Sequence, residues 1–193
     1  MTPRRRGAAG VLVGLVRAFP NPTLFLLAAL ALRLGVALCL PRPDDFVELM
    51  EPVRTAANLA AGRGYTFDFY GTRPESPLQA FLPPLHPWLI ALALQFANPA
   101  VAYGLFQALL GTMTVWLLYR LAKAMTGWRT GLLAGWAAAL YPSHVLLVGQ
   151  PHSTVLHACI LVAILLVCWR VLERPVVTRA LLAGGLLGVL ALG

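Results

Sequence analysis

Four apolar runs, residues 23–40, 101–119, 131–148 and 154–169, dominate this chain. Each approaches the roughly 20 predominantly apolar residues that a bilayer-crossing helix needs. A fifth run begins near Ala180 and is still apolar at Gly193. In a bilayer every backbone polar group must be satisfied within the protein, so such runs fold as helices packed on one another. The expected class is therefore all-α: a single polytopic membrane domain over residues 1–193, with juxtamembrane helices outside the bilayer.

Composition excludes the main alternatives. Hydrophobic residues make up 59% of the chain and charged residues 11%, against roughly a quarter charged in a soluble globule. The formal charge of +8 does not point to nucleic acid, because a nucleic-acid binder gathers its basic residues on one exposed face. Here they lie in short groups between apolar runs. Cys39, Cys159 and Cys168 fall inside those runs and share no metal-ligand spacing, so they read as small apolar residues of helices.

Polar residues set the orientation. Arg4, Arg5, Arg6, Arg17, Arg120, Lys123, Arg129, Arg170, Arg174 and Arg179 fall on one side, with Glu173 as their only acid. The positive-inside rule makes that side cytoplasmic. The first run is longer than a signal-peptide core and lacks a small-residue cleavage site, as in an uncleaved signal anchor. The expectation is a multi-pass protein of the plasma (inner) membrane, with residues 1–22 cytoplasmic and residues 41–100 outside. The run at 85–97 is too short to span a core of about 30 Å and is expected to lie in the interface or re-enter. With the run from Ala180 unfinished at Gly193, the chain is expected to be the front part of a longer protein.

Six of the seven acidic residues, Asp44, Asp45, Glu48, Glu51, Asp68 and Glu75, lie in the outer interval. Phe46, Leu49, Met50, Val53, Ala57 and Ala60 recur with helical period, and Pro52 suits a first helical position. A helix over about 52–61 follows, ended by Gly62 and Gly64. Glu48 and Glu51 then stand near its N-terminus, where the dipole favours carboxylates. Arg33 within the first run costs about 2.5–3.5 kcal/mol to insert; a lipid-linked phosphate and a helix–helix contact are both open as its partner. His86, His144, His152 and His157 all fall on or near the outer side. His152 and His157 are five apart, so they do not share a helix face as metal ligands would. No cofactor is expected, with a divalent metal as the lesser alternative.

Several segments in order resemble a known family. They are Arg33-Leu34, the acidic interval, Ala57-Asn58-Leu59-Ala60-Ala61-Gly62-Arg63-Gly64-Tyr65, Pro83-Pro84-Leu85-His86-Pro87-Trp88-Leu89, Gln107-Ala108-Leu109-Leu110-Gly111, Tyr119-Arg120-Leu121-Ala122-Lys123 and Ala139-Leu140-Tyr141-Pro142. Together they resemble the N-terminal module of GT-C membrane glycosyltransferases, the group of protein O-mannosyltransferases and the lipid A aminoarabinose transferase. The resemblance implies a transferase whose donor is a polyprenyl-phosphate-linked sugar and whose acceptor is a lipid, glycan or protein. In that family an Asp of the first outer loop, usually Asp-Glu followed by Tyr, is the catalytic base. Counting back from Asn58 and Gly62 puts Glu48 at that Asp and Pro52 at the Tyr; Asp44 and Asp45 serve if the loop carries an insertion. An acidic residue usual after the third span stands here as Gln150 or Thr154.

Transfer from a phosphate leaving group needs one base for the acceptor and positive charge for the phosphate. The candidates are Glu48, Asp45 and Asp44 as base, Arg54, Arg63, Arg73 and Arg33 for the donor phosphate, and His86, Gln150 and His152 in the substrate cavity. Two competing readings are a non-catalytic GT-C-like membrane protein or assembly subunit, and a transporter or flippase. The latter requires intramembrane charge on several helices, where Arg33 stands alone.

Overall fold

The computed structural model describes residues 14, 21–39, 50–67, 78–79 (backbone) and 82–193. Asp44, Asp45, Glu48, Arg73, Asp68 and Glu75 lie outside the described residues, as do the basic N-terminal residues and the first part of the predicted apolar stripe. Eight helices carry the described part: α1 Pro22–Cys39, α2 Glu51–Ala60, α3 Leu85–Ala93, α4 Pro99–Thr126, α5 Trp128–Ala139, α6 Pro142–Leu146, α7 Thr154–Glu173 and α8 Val177–Ala191. A minimal antiparallel ribbon, β1 Thr66–Phe67 with β2 Leu78–Gln79, pairs Thr66 with Gln79 and Phe67 with Leu78. The fold is an all-α membrane bundle. By length and composition α1, α4 and α7 are able to cross a membrane, and α5 with α6 and the following turn makes a fourth passage if that bent pair is one span.

Small residues let the helices close on one another, as packing between membrane helices requires. Phe25 of α1 is fully buried against Gly135 of α5, where an added Cβ would meet the ring at 2.7 Å. Tyr119 and Trp136 complete this layer, with ring centroids 5.4 and 6.2 Å from that of Phe25. Outward-facing Leu27, Leu109, Leu165 and Leu172 are exposed, which suits helices whose solvent is lipid.

The third apolar run departs from a simple span. It is realised as α5, a break, then α6 and a 3-10 turn at Leu147–Gly149, with the two parts bent by 55°. Pro142 explains the break. It has no N–H, so the carbonyl of Ala138, four residues earlier, loses its intrahelical donor.

Arg33 supplies what Pro142 withholds. Its guanidinium is fully buried; Nη2 donates to the Ala138 carbonyl at 3.3 Å and Nη1 to the Ala139 carbonyl at 3.3 Å. Nη1 also reaches Ala29 on its own helix at 3.1 Å. A cation at a helix C-terminus further meets the negative end of the dipole. Nη2 lies 3.1 Å from His144 Nδ1; arginine only donates, so that nitrogen accepts and the neutral ring carries its proton on Nε2. Of the two partners left open by the sequence, the described contacts are those of a helix–helix clamp.

The α2 face also differs from the expected stripe. Val53, Thr55, Ala56 and Asn58 are buried, while Ala60 is exposed. Polar side chains turn inward because they bond backbone and neighbour: Asn58 Nδ2 donates to the Thr66 carbonyl at 2.9 Å, and Asn58 Oδ1 accepts from Arg63 Nε at 2.9 Å. Thr55 Oγ1 donates back to the Glu51 carbonyl at 3.0 Å. Gly62 and Gly64, at φ 73° and 84°, make the turn that returns the chain to β1, in a backbone region other residues enter at a penalty.

Gly111 of α4 faces the clamp, and a Cβ there would come within 2.6 Å of Arg33 Nε. Gly111→Ala is therefore expected to lower the midpoint of thermal unfolding in detergent, by the equivalent of about 1–3 kcal/mol. Gly35→Ala on α1, with open space around it, is expected to be neutral or mildly stabilising. The coupling between Arg33 and Pro142 is measurable by a double-mutant cycle. Arg33→Met is expected to be less harmful in a Pro142→Ala background, where residue 142 again has an N–H.

Candidate active site

A cavity of about 320 Å³ opens where three helix starts meet at one end of the bundle. Its walls are Met50, Glu51 and Pro52 at the start of α2, Leu82, Pro83, His86 and Pro87 around the start of α3, and Pro151, His152 and Ser153 before α7. Gly193 completes the lining. Prolines are frequent here for a local reason: each occupies a first turn or an extended lead-in, where a missing N–H removes no helical hydrogen bond.

Position follows from packing under the cavity. Val53 and Ala56 of α2, Ile90, Ala91 and Ala93 of α3 and Tyr103 of α4 form one buried apolar cluster. It seats the two short helices on the first turns of the long α4. The backbone N–H of Leu85 donates to the Leu192 carbonyl at 2.7 Å, so the start of α3 also leans on the end of α8. Tyr65 Oη donates to the Leu82 carbonyl at 2.6 Å, and burial pushes that phenol above its usual pKa.

A polar relay crosses this layer. His86, only 4% exposed, shares a hydrogen bond of 2.6 Å between its Nε2 and Tyr103 Oη. Gln107, one turn along α4, donates from Nε2 to the same Oη at 2.6 Å and to the His152 carbonyl at 3.0 Å. Gln107 Oε1 is buried and has no partner among the described residues. His152 Nδ1 accepts from the Thr154 N–H at 3.2 Å and lies 2.6 Å from Thr154 Oγ1. Its neutral form therefore keeps the proton on Nε2, leaving that nitrogen a donor.

Of the residues picked out in the sequence, the cavity brings together His86 and His152. Gln150 is exposed and stands outside the lining. Arg63 is engaged with Asn58, Arg54 lies on α2 with a partner of its own, and Arg33 is in the clamp between α1 and α5. Glu51 also lines the cavity; the sequence reading placed it with Glu48 at the helix start but did not name it as a site residue. Its signal was there: an acid followed at once by proline marks the first turn of a helix. Tyr103 and Gln107 were missed as well, since in a sequence they look like two polar residues of an apolar span. Among the described residues no three His, Cys, Asp or Glu side chains converge as a metal site would need.

Burial, with repulsion from His152 and His157, lowers the His86 pKa to about 4. The unfolded chain binds this proton near pH 6.5 and the folded chain only near 4, so stability is full above about 6.5 and falls as pH drops toward 4. The expected measurement is a thermal midpoint that declines across that window. In His86→Gln, which keeps a bond to Tyr103 but cannot titrate, the slope is shallower.

Comparison with known proteins adds an independent line. No curated protein and no solved structure matches the chain. A protein-family model described as dolichyl-phosphate-mannose-protein mannosyltransferase matches residues 82–192, more than half the chain, from the α3 wall of the cavity through α8. The chain thus belongs to the dolichyl-phosphate-mannose-protein mannosyltransferase family, and is a membrane glycosyltransferase module of GT-C type.

Proposed function

We propose that this protein moves a sugar from a polyprenyl-phosphate donor to an acceptor in the cavity between α2, α3 and the start of α7. The observation that carries the reading is the convergence of Glu51, His86 and His152 on one cavity, directly after the chain segment that holds Asp44, Asp45 and Glu48. In this reading the cavity lies on the extracytoplasmic face of the plasma (inner) membrane and the N-terminus is cytoplasmic, as the distribution of basic residues supports.

The chemistry needs few groups. A carboxylate removes the proton of the acceptor hydroxyl or amine as that atom attacks the anomeric carbon. The bond from that carbon to the phosphate oxygen breaks, and the polyprenyl phosphate departs with the electron pair. Because the leaving group is already a stable anion, no second carboxylic acid is required, in contrast with glycoside hydrolysis. A single displacement inverts the anomeric centre. Glu48 is the proposed base by family register, with Asp45 and Asp44 as the alternatives. Glu51 and His152 are proposed to orient the acceptor. Arg54, Arg63 and Arg73 are proposed to steady the departing phosphate. The acceptor is a lipid, a glycan or a protein.

The second reading, a non-catalytic member of the family, is favoured by the register of the resemblance, which puts Glu48 and Pro52 at the positions of an Asp and a Tyr. Replacing Glu48, Asp45, Asp44 and Glu51 singly with the corresponding amide separates the two. Sugar transfer from polyprenyl-phosphate donors, assayed in membranes holding equal amounts of protein, is expected to fall about 100-fold or more in Glu48→Gln. Wild-type transfer in all four variants would remove these carboxylates from the reaction, whereas no transfer by the unaltered chain above membranes that lack it would leave the non-catalytic reading in place.

A further inference from the structure

The other end of the bundle carries a second polar concavity, of about 510 Å³, between the last turns of α4 and α7. Trp116, Arg120 and Lys123 line it from α4, Arg170 and Glu173 from α7. Tyr103, beneath the candidate active site, and Lys123 are twenty residues apart on α4. At 1.5 Å per residue they are separated by about 30 Å, the thickness of a hydrocarbon core. The two concavities therefore belong to opposite membrane faces.

Among the described residues, Arg120 and Lys123 are held in place without an ion pair. Arg120 Cζ lies 4.8 Å from the centroid of the Trp116 ring, and Lys123 Nζ 5.6 Å from that of Tyr119. Cation–π contact fixes the position of a cationic head while leaving its N–H donors free. Arg170 Nε is 3.9 Å from Glu173 Oε2, a loose surface pair that neutralises little. Glu173 Oε1 is taken by Trp169 Nε1 at 2.9 Å. Arg179 is occupied differently, donating to the carbonyls of Arg170 and Arg174 at the end of α7. Among the described residues, three cations from two helices thus face one cleft with a single, already engaged carboxylate. Exposed Leu109 and Met113 precede Trp116 and Arg120 on the same face of α4, at spacings of four, three and four residues.

We infer that this cleft seats the phosphate of an anionic membrane lipid. Arg120, Lys123 and Arg170 donate to the phosphate oxygens, Trp116 and Tyr119 hold the two α4 cations through their ring faces, and the acyl chains run along the exposed α4 face of Leu109 and Met113. The phosphate chemistry alone would also suit a free phosphate ion; the apolar flank and the position at the membrane face favour the lipid.

The test uses the full chain purified in detergent, supplied with phosphatidylglycerol or phosphatidylcholine, with retained lipid counted by native mass spectrometry. Wild type is expected to retain phosphatidylglycerol selectively. Each basic side chain near a membrane surface contributes roughly a fivefold preference, so the Arg120→Ala, Lys123→Ala double variant is expected to lose about tenfold or more of that retention. Arg170→Gln, a milder change on the other helix, is expected to lose about fivefold and decides the matter if the double variant does not fold. Inorganic phosphate added in excess is expected to leave lipid retention unchanged. Equal retention of the two lipids, or undiminished retention in the folded variants, overturns the inference. Displacement by inorganic phosphate overturns it in favour of a free-anion site.

Discussion

The contact between Arg33 and the broken end of α5 governs this bundle. An arginine within an apolar helix and a proline within an apolar run are each unfavourable alone. Together they answer one another: Pro142 leaves the Ala138 carbonyl without a donor, and Arg33 brings donors to it and to Ala139. Leaving a buried carbonyl unsatisfied costs about 1–3 kcal/mol, similar in size to the insertion cost of the arginine. The clamp also sets distances, since Gly111 is the residue that lets α4 approach the guanidinium. Three helices, α1, α4 and α5, are thereby fixed at one level.

That level lies below the candidate active site. The 55° bend after α5 redirects the chain, so the turn at Leu147–Gly149 and the segment Pro151-His152-Ser153 arrive over the top of α4 rather than continuing along α5. Gln107 then catches the His152 carbonyl one helical turn above Gly111. The wall of the cavity that contains His152 is in this way a consequence of the same break that Arg33 stabilises. A structural cation deep in the bundle and a polar wall at its rim are linked through two turns of α4.

Much of the architecture was legible because it rests on period and length. Apolar runs of near-spanning length announce helices whatever their partners, and the 85–97 run was too short to behave otherwise; α3 is 9 residues long. The helix after Met50 was also readable, from Pro52 and the two glycines. Which face it buries was not, because Thr55 and Asn58 are polar by composition and become interior only through bonds to Glu51, Thr66 and Arg63. The same reason hid Tyr103 and Gln107: a hydrogen bond across 45 residues of chain, as from Gln107 to His152, leaves no local pattern. His86 and His152 were visible as candidates because a histidine in an oily chain is conspicuous before its partner is known.

The cavity divides its parts between two stretches of chain with different constraints. One wall comes from within residues 82–192, the stretch shared with the family, and its histidines are tied to α4 by hydrogen bonds and burial. The other wall is the start of α2, attached to that frame through Val53 and Ala56 packing on α3. Glu51 and Pro52, which open α2 and line the cavity, are then positioned by a short helix rather than by the bundle itself. Hydrogen-bonded polar groups on the bundle side thus face a carboxylate, Glu51, carried on the attached helix. A change at Glu51 therefore alters one half-buried side chain of the attached wall, whereas moving His86 would break a buried bond to Tyr103.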